Sequence, residues 1–149
     1  MRVKNILQGI TTVFILFAMV GCGKPYVGNK VNVNSPMICR VVSFPADCTI
    51  NEFKDLTPHV TIYKVDDNGN YLIKGYFDAS QGQLKSFAHI VRHESEFRMI
   101  FISNNVVVDN KNLSLRSIDV NQKLEFEFEY HSDVPIDAVA FTYNLMVRG

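Results

Sequence analysis

The sequence has no tryptophan, only three cysteines and only four histidines in 149 residues. It also has no excess of either charge, with 15 Lys+Arg against 15 Asp+Glu. That balance excludes a strongly basic nucleic-acid binder, so no nucleic-acid partner is expected. Gly-x-Ser-x-Gly, a phosphate loop and a dinucleotide fingerprint are all absent. The short motifs that mark an activated nucleophile or a nucleotide cofactor therefore do not apply. No internal repeat is evident, and no apolar run reaches the roughly 20 residues that a spanning helix needs. What the chain does have is 47% hydrophobic residues, which excludes a disordered chain. Its length suits one domain with an appendage.

The appendage is at the start. Arg2 and Lys4 precede Ile6–Val20, a run of 15 residues broken only by Gln8, Thr11 and Thr12 among polar side chains. As a helix this run would be about 22 Å long. That is short for a permanent span and suited to a signal-peptide core. It ends Ala18-Met19-Val20-Gly21-Cys22. These residues resemble a bacterial lipobox, with Met19 where that family prefers Leu. The resemblance implies cleavage before Cys22, lipidation of its sulfur, and two or three acyl chains on the mature N-terminus. An uncleaved anchor helix with an incidental cysteine is the other reading. Gly23 follows the cysteine instead of Asp, which by analogy with enteric bacteria implies the outer membrane, facing the periplasm.

Removing residues 1–21 takes away Arg2 and Lys4, leaving 13 Lys+Arg against 15 Asp+Glu. A net charge near −2 gives anionic headgroups little hold. The membrane is therefore a partner through acyl chains on Cys22, since two chains anchor stably where one does not. With Cys22 lipidated, Cys39 and Cys48 remain as an even pair, which an oxidising compartment favours as a disulfide. Pro45 lies between them and favours a bend. Free thiols, or a metal site completed by a His such as His59, are the other readings. The cysteine spacing is not that of a zinc ribbon or finger.

Residues 22–36 read as the lipidated cysteine and a tether, although Val27, Val31 and Val33 would let part of it pair as a strand. Residues 37–149 read as one β domain. Its runs rich in Val, Ile, Phe and Tyr are Ile38–Phe44, Val60–Val65, Tyr71–Phe77, Phe97–Ser103, Val106–Asp109, Leu113–Val120, Lys123–His131 and Ala138–Arg148. In Lys123–His131, Leu124, Phe126, Phe128 and Tyr130 alternate with Glu125, Glu127 and Glu129, so one face is buried and one is wet. Asp66–Asn70 marks a hairpin and Asn104-Asn105 a second tight turn. The expected fold is mainly β, an antiparallel two-sheet sandwich of seven or eight strands. One short helix is expected over 83–93, where Ser80–Gln83 has the form of a capping box and Leu84, Phe87, Ala88 and Val91 follow at helical spacing.

Three clusters invite chemical readings. His89 and His93 would share a helix face at a metal-site spacing, but Ile90 stands where a zinc-protease motif needs Glu. Asp66, Asn68 and Asn70 match the first ligand positions of a calcium loop, but Tyr71 and Phe77 replace its Gly and Glu. Glu125, Glu127 and Glu129 recur about 6.8 Å apart on one strand face. They do not converge across a cleft as paired glycosidase carboxylates do. A solvated helix face, a hairpin and a wet sheet face account for all three. No catalytic residue, metal site or cofactor is expected.

The expected function is that of a lipid-anchored, non-enzymatic binding or structural subunit. It would dock onto an envelope complex of secretion, conjugation or pilus type through a sheet edge or the small-residue face of the last strand. That face carries Ala138, Ala140 and Thr142. The alternative is a periplasmic module for a small ligand or peptidoglycan fragment, with an enzyme behind both.

Overall fold

Apolar alternation organises the chain into strands. The structure is a computed structural model that describes residues 24–53, 55–79, 89–90, 96–115, 123–144 and 147–148. Its strands are β1 (Ile38–Arg40), β2 (Ala46–Thr49), β3 (Thr57–Lys64), β4 (Asn70–Asp78), β5 (His89–Ile90), β6 (Glu96–Ser103), β7 (Val106–Asn112), β8 (Leu124–His131), β9 (Ala138–Asn144) and β10 (Val147–Arg148). Eight of them form two antiparallel sheets of four, ordered β1-β9-β6-β7 and β2-β3-β4-β8. The architecture is the expected β-sandwich, with no helix among the described residues.

The inner faces supply one core. From β3 and β4 come Val60, Ile62, Tyr71, Ile73 and Phe77; from β6 and β9 come Phe97, Met99, Phe101, Val139 and Phe141. β8 contributes Leu124 and Phe126, while its three glutamates stay exposed, as the alternation requires. The aromatic rings are arranged around Phe77, with Phe97, Phe126 and Phe141 centred 5.3, 5.6 and 5.6 Å away. Gly75 leaves room for one of them, since a Cβ there would lie 2.5 Å from Phe126 Cζ.

Turn chemistry fixes the registers. Asn104 and Asn105 both have positive φ, 50° and 63°, matching the primed turn that joins twisted strands. In the Asp66–Asn70 hairpin, the Asp66 carboxylate accepts the backbone N–H groups of Asn68 (2.8 Å) and Asn70 (3.3 Å) and the Asn70 side-chain amide (2.7 Å). These bonds hold the Asp66 carboxyl below its usual range, the Asn70 side chain contributing most. Gly69, at φ +84°, passes against the Ser132 carbonyl, where any Cβ would collide.

Three expected elements differ. Ile38–Phe44 is not one strand. β1 belongs to the first sheet and β2 to the second, and the chain changes sheets through 41–45, where the Phe44–Pro45 bond is cis. Proline cannot donate to a ladder, so the apolar run ends in a crossover. Leu113–Leu115 is irregular, although Leu113 and Leu115 are buried and the Leu113 N–H donates to the Phe97 carbonyl; 116–120 lies outside the described residues. The helix expected over 83–93 also falls mostly outside them. The two residues that are described, His89 and Ile90, pair with Arg148 and Val147 as strand.

The sandwich is closed along both sides. On one, Cys39 of β1 and Cys48 of β2 form a disulfide between the two sheets, with Sγ atoms 2.08 Å apart. On the other, the Tyr130 hydroxyl of β8 donates to Asp109 of β7 (3.1 Å), and the Tyr130 ring stacks on Phe101 at 3.8 Å. Cross-linking a loop of about ten residues stabilises by about 2–3 kcal/mol in the chain-entropy model. We therefore expect Cys39→Ser with Cys48→Ser to lower the free energy of urea unfolding by that amount. An unchanged urea midpoint would show that the bridge carries no stability.

Candidate functional site

The outer face of the first sheet is covered by the chain itself. β6 is buried along both faces: Phe97, Met99 and Phe101 point inward, while Ile100 and Ile102 join Val107 and Ala138 in a second, outer cluster. Val31, Val33, Ile38 and Ala140 pack against that cluster. Burial of two half-covered valines contributes about 1 kcal/mol each. Residues 24–33, within the expected tether, thus lie on the fold; of the three valines that would let it pair as a strand, Val31 and Val33 pack on the outer cluster while Val27 is 44% exposed. Gly28 donates to the Val107 carbonyl (2.9 Å), Val107 to Asn29 (2.9 Å) and Val31 to Asn105 (2.8 Å), so this segment extends the ladder beyond β7.

This corrects the expected partner surface. Ala138 is 0% exposed and cannot meet a partner. Ala140 packs on the outer cluster, and Thr142 lines a hollow of about 300 Å³ with Pro25, Tyr26 and Arg98. The small side chains do permit close approach, but what approaches is the chain's own N-terminal segment.

A clasp holds that segment. Asn110 of β7 is buried, accepting from the Arg98 guanidinium at 2.7 Å and donating to the Pro25 carbonyl. Beside it, Lys24 Nζ lies 2.7 Å from Asp109 Oδ1. Burial opposes the charged form of Asp109, but Lys24, the Asn110 N–H and the Tyr130 hydroxyl outweigh it and hold the carboxyl below its ordinary range. A depressed carboxyl contributes fully above its unfolded range, and its contribution is lost as pH falls through the lowered one. The clasp is therefore intact at neutral pH. Burial, and then Asp109, push the Tyr130 hydroxyl well above the ordinary tyrosine range, so it stays protonated and able to donate.

The second sheet presents the opposite case. Its outer face is an open trough of about 490 Å³ lined by Asp47, Thr49, His59, Thr61, Lys74, Tyr76, Glu125 and Glu127, among others. Those groups satisfy one another. Thr49 Oγ1 and His59 Nδ1 are 2.9 Å apart, Thr61 donates to Asp47 at 2.6 Å, and Lys74 meets Glu127 at 3.5 Å. The His59 ring stacks on Tyr76 at 4.6 Å, and Lys123 sits over the Tyr76 ring. The glutamate row is thus partly compensated across the strand, as its spacing anticipated.

The edge of this sheet along β8 is unpaired among the described residues. β8 runs eight residues in unbroken register with β4, from Leu124 opposite Phe77 to His131 opposite Asn70. Among the described residues no strand pairs with its other edge. β1 and β2, the other open edges, have three and four residues, and β7 is bridged at Val106 and Val107 by the segment around Lys30. β8 contains no proline and no bulge, two of the devices that blunt exposed edges.

The remaining candidates do not assemble into a centre. His131 bonds Asn70 and Asp133, His59 lies in the trough, and His93 and Cys22 are outside the described residues. Among the described residues no three His, Cys, Asp or Glu side chains come together as metal ligands would. Sequence reasoning missed Asn110 and the Lys24–Asp109 clasp. A signal was present in Met99-Ile100-Phe101-Ile102, four apolar residues in a row, which require cover on both faces of a strand. Comparison with protein-family models, curated proteins and solved structures finds no significant match.

Proposed function

We propose that the chain is a lipid-anchored envelope lipoprotein, held on the outer membrane facing the periplasm through acyl chains on Cys22, and that it binds rather than catalyses. Its occupant is an extended segment of an envelope protein added to the edge of β8. The observation that carries this reading is an eight-residue edge strand, regular and unpaired among the described residues, on a fold whose other long edge, β7, is bridged at Val106 and Val107 by the chain's own N-terminal segment. Unpaired N–H and C=O groups on such an edge accept a strand. Glu125, Glu127 and Glu129 add charge selection, because a neighbouring strand places alternate side chains about 5 Å from them. The segment that fits carries Lys or Arg at every second position.

A photo-crosslinker at Glu129 in the native host should trap an envelope protein that one at exposed Asp67 does not. Glu125→Lys with Glu129→Lys should reduce that yield about tenfold, a loss of about 1.4 kcal/mol, with the circular dichroism spectrum unchanged. Equal trapping from both positions, or no effect of charge reversal, would refute the edge.

The trough on the second sheet supports a second reading, a module for a small ligand or peptidoglycan fragment. It predicts saturable calorimetric binding of muropeptides that His59→Ala removes and Glu129→Lys alone, outside the trough, leaves in place.

A further inference from the structure

We infer that the N-terminal segment is a mount that holds the domain directly against the bilayer, with the Lys24–Val27 turn seated at the headgroups. The inference rests on the lipidation of Cys22 proposed above. A tether gives a lipoprotein reach only if it is free of the fold. Here the chain is held from Lys24 onward: Lys24 by Asp109, Pro25 by Asn110, Gly28 and Asn29 by Val107, and Val31 by Asn105. Val31 and Val33 then bury against the outer cluster of the first sheet. Only Gly23 stands between Cys22 and the held part of the chain. Fully extended, the step from Cys22 to Lys24 spans about 7 Å. Residues 22–36 as a free tether would span about 45–50 Å.

The held turn has the chemistry of a headgroup contact. Tyr26 is 46% exposed and Val27 44%, side by side and next to the anchor. Tyrosine places an apolar ring in the interfacial layer and keeps its hydroxyl in water. Nearby Lys24 and Lys30 are exposed cations. The clasp residue Asp109 also bonds Tyr130 of β8, so the docking edge lies on the same side of the sandwich as the anchor. A partner reaching β8 would then approach along the membrane that the protein sits on.

The absence of tryptophan supplies the test, because one introduced Trp is a unique reporter. The full lipidated chain is purified as Val27→Trp and as Tyr63→Trp, the latter on the outer face of the second sheet, and reconstituted into phosphatidylethanolamine–phosphatidylglycerol vesicles. Flotation with the vesicles and the acylated mass establish the anchor. The expected result is a blue-shifted Val27→Trp emission with loss of iodide quenching, while Tyr63→Trp stays fully quenched. A flexible ten-residue insertion between Gly23 and Lys24 should restore quenching of Val27→Trp. Floating, acylated protein in which both reporters are quenched alike overturns the mount and leaves the anchor standing. Protein that carries no acyl chain and does not float overturns both.

Discussion

Phe77→Ala should cost about 3–5 kcal/mol of folding stability, the range for a truncated core phenylalanine. Phe77 is 0% exposed near the C-terminal end of β4. Its ring meets Phe97, Phe126, Phe141 and Tyr143, which come from both sheets, so its loss opens a cavity at the interface that defines the sandwich. The backbone can collapse little around that cavity, because β4 is hydrogen-bonded to β3 on one side and β8 on the other. Small domains have about 5–15 kcal/mol in total, so this one change consumes a large fraction of it. Phe44→Ala is the control. Phe44 is 38% exposed, meets Tyr71 at a tilt along the rim, and should cost less than about 1 kcal/mol. Urea denaturation of both variants measures the contrast; similar losses would mean that the ring cluster around Phe77 is not the centre of the core.

The same alternation that buries Phe77 made the fold legible. Leu124, Phe126, Phe128 and Tyr130 against three glutamates defined β8 and its wet face, because a strand has a strict period of two and one register buries every apolar side chain. Asn104-Asn105 and Asp66–Asn70 were legible for a different reason: positive φ and side-chain caps demand those residue types. Pairing partners were less legible. Ile38–Phe44 looked like one strand because periodicity carries no information about which sheet a residue joins. The two sheets meet at that crossover, so a local apolar run was divided by a non-local choice.

The candidate site was legible in its parts and misassigned in its use. Ala138, Ala140 and Thr142 were read as a face open to a partner. Ala138 is buried in the outer cluster on which Val31, Val33 and Ala140 pack, and Thr142 shares a hollow with Pro25 and Tyr26, in a segment whose Gly, Asn and Pro content suggested solvent. Two half-buried valines and a handful of backbone bonds hold that segment, and composition does not register such sparse contacts. The glutamate row on β8 remained as the exposed feature, and only the sheet order showed that it lies on an edge unpaired among the described residues.

Cys22→Ala should abolish membrane retention of the mature chain without changing the fold. On the proposed lipidation, two or three acyl chains at about 0.8 kcal/mol per buried methylene would anchor the chain stably, whereas one chain gives only marginal binding. Neither net charge nor the apolar run is expected to replace them. The net charge left after residue 21 is near −2, and the Ile6–Val20 run falls short of a hydrocarbon span. The hydrogen bonds, disulfide and core of the described residues, from Lys24 onward, are made without the Cys22 side chain. The variant should therefore lose the acylated species that begins at residue 22, while its circular dichroism and urea midpoint match those of wild type. The lipid reading fails if mass spectrometry finds the Cys22→Ala chain cut at the same bond and the membrane fraction retains it as before. The Cys39–Cys48 pair gives an independent check on the same export route, because it stays oxidised in the variant only if the chain still leaves the reducing interior. A variant that is folded, oxidised and released from the membrane would separate anchoring from export and from folding, and would leave the β8 edge intact but no longer held beside the bilayer where its partner is expected.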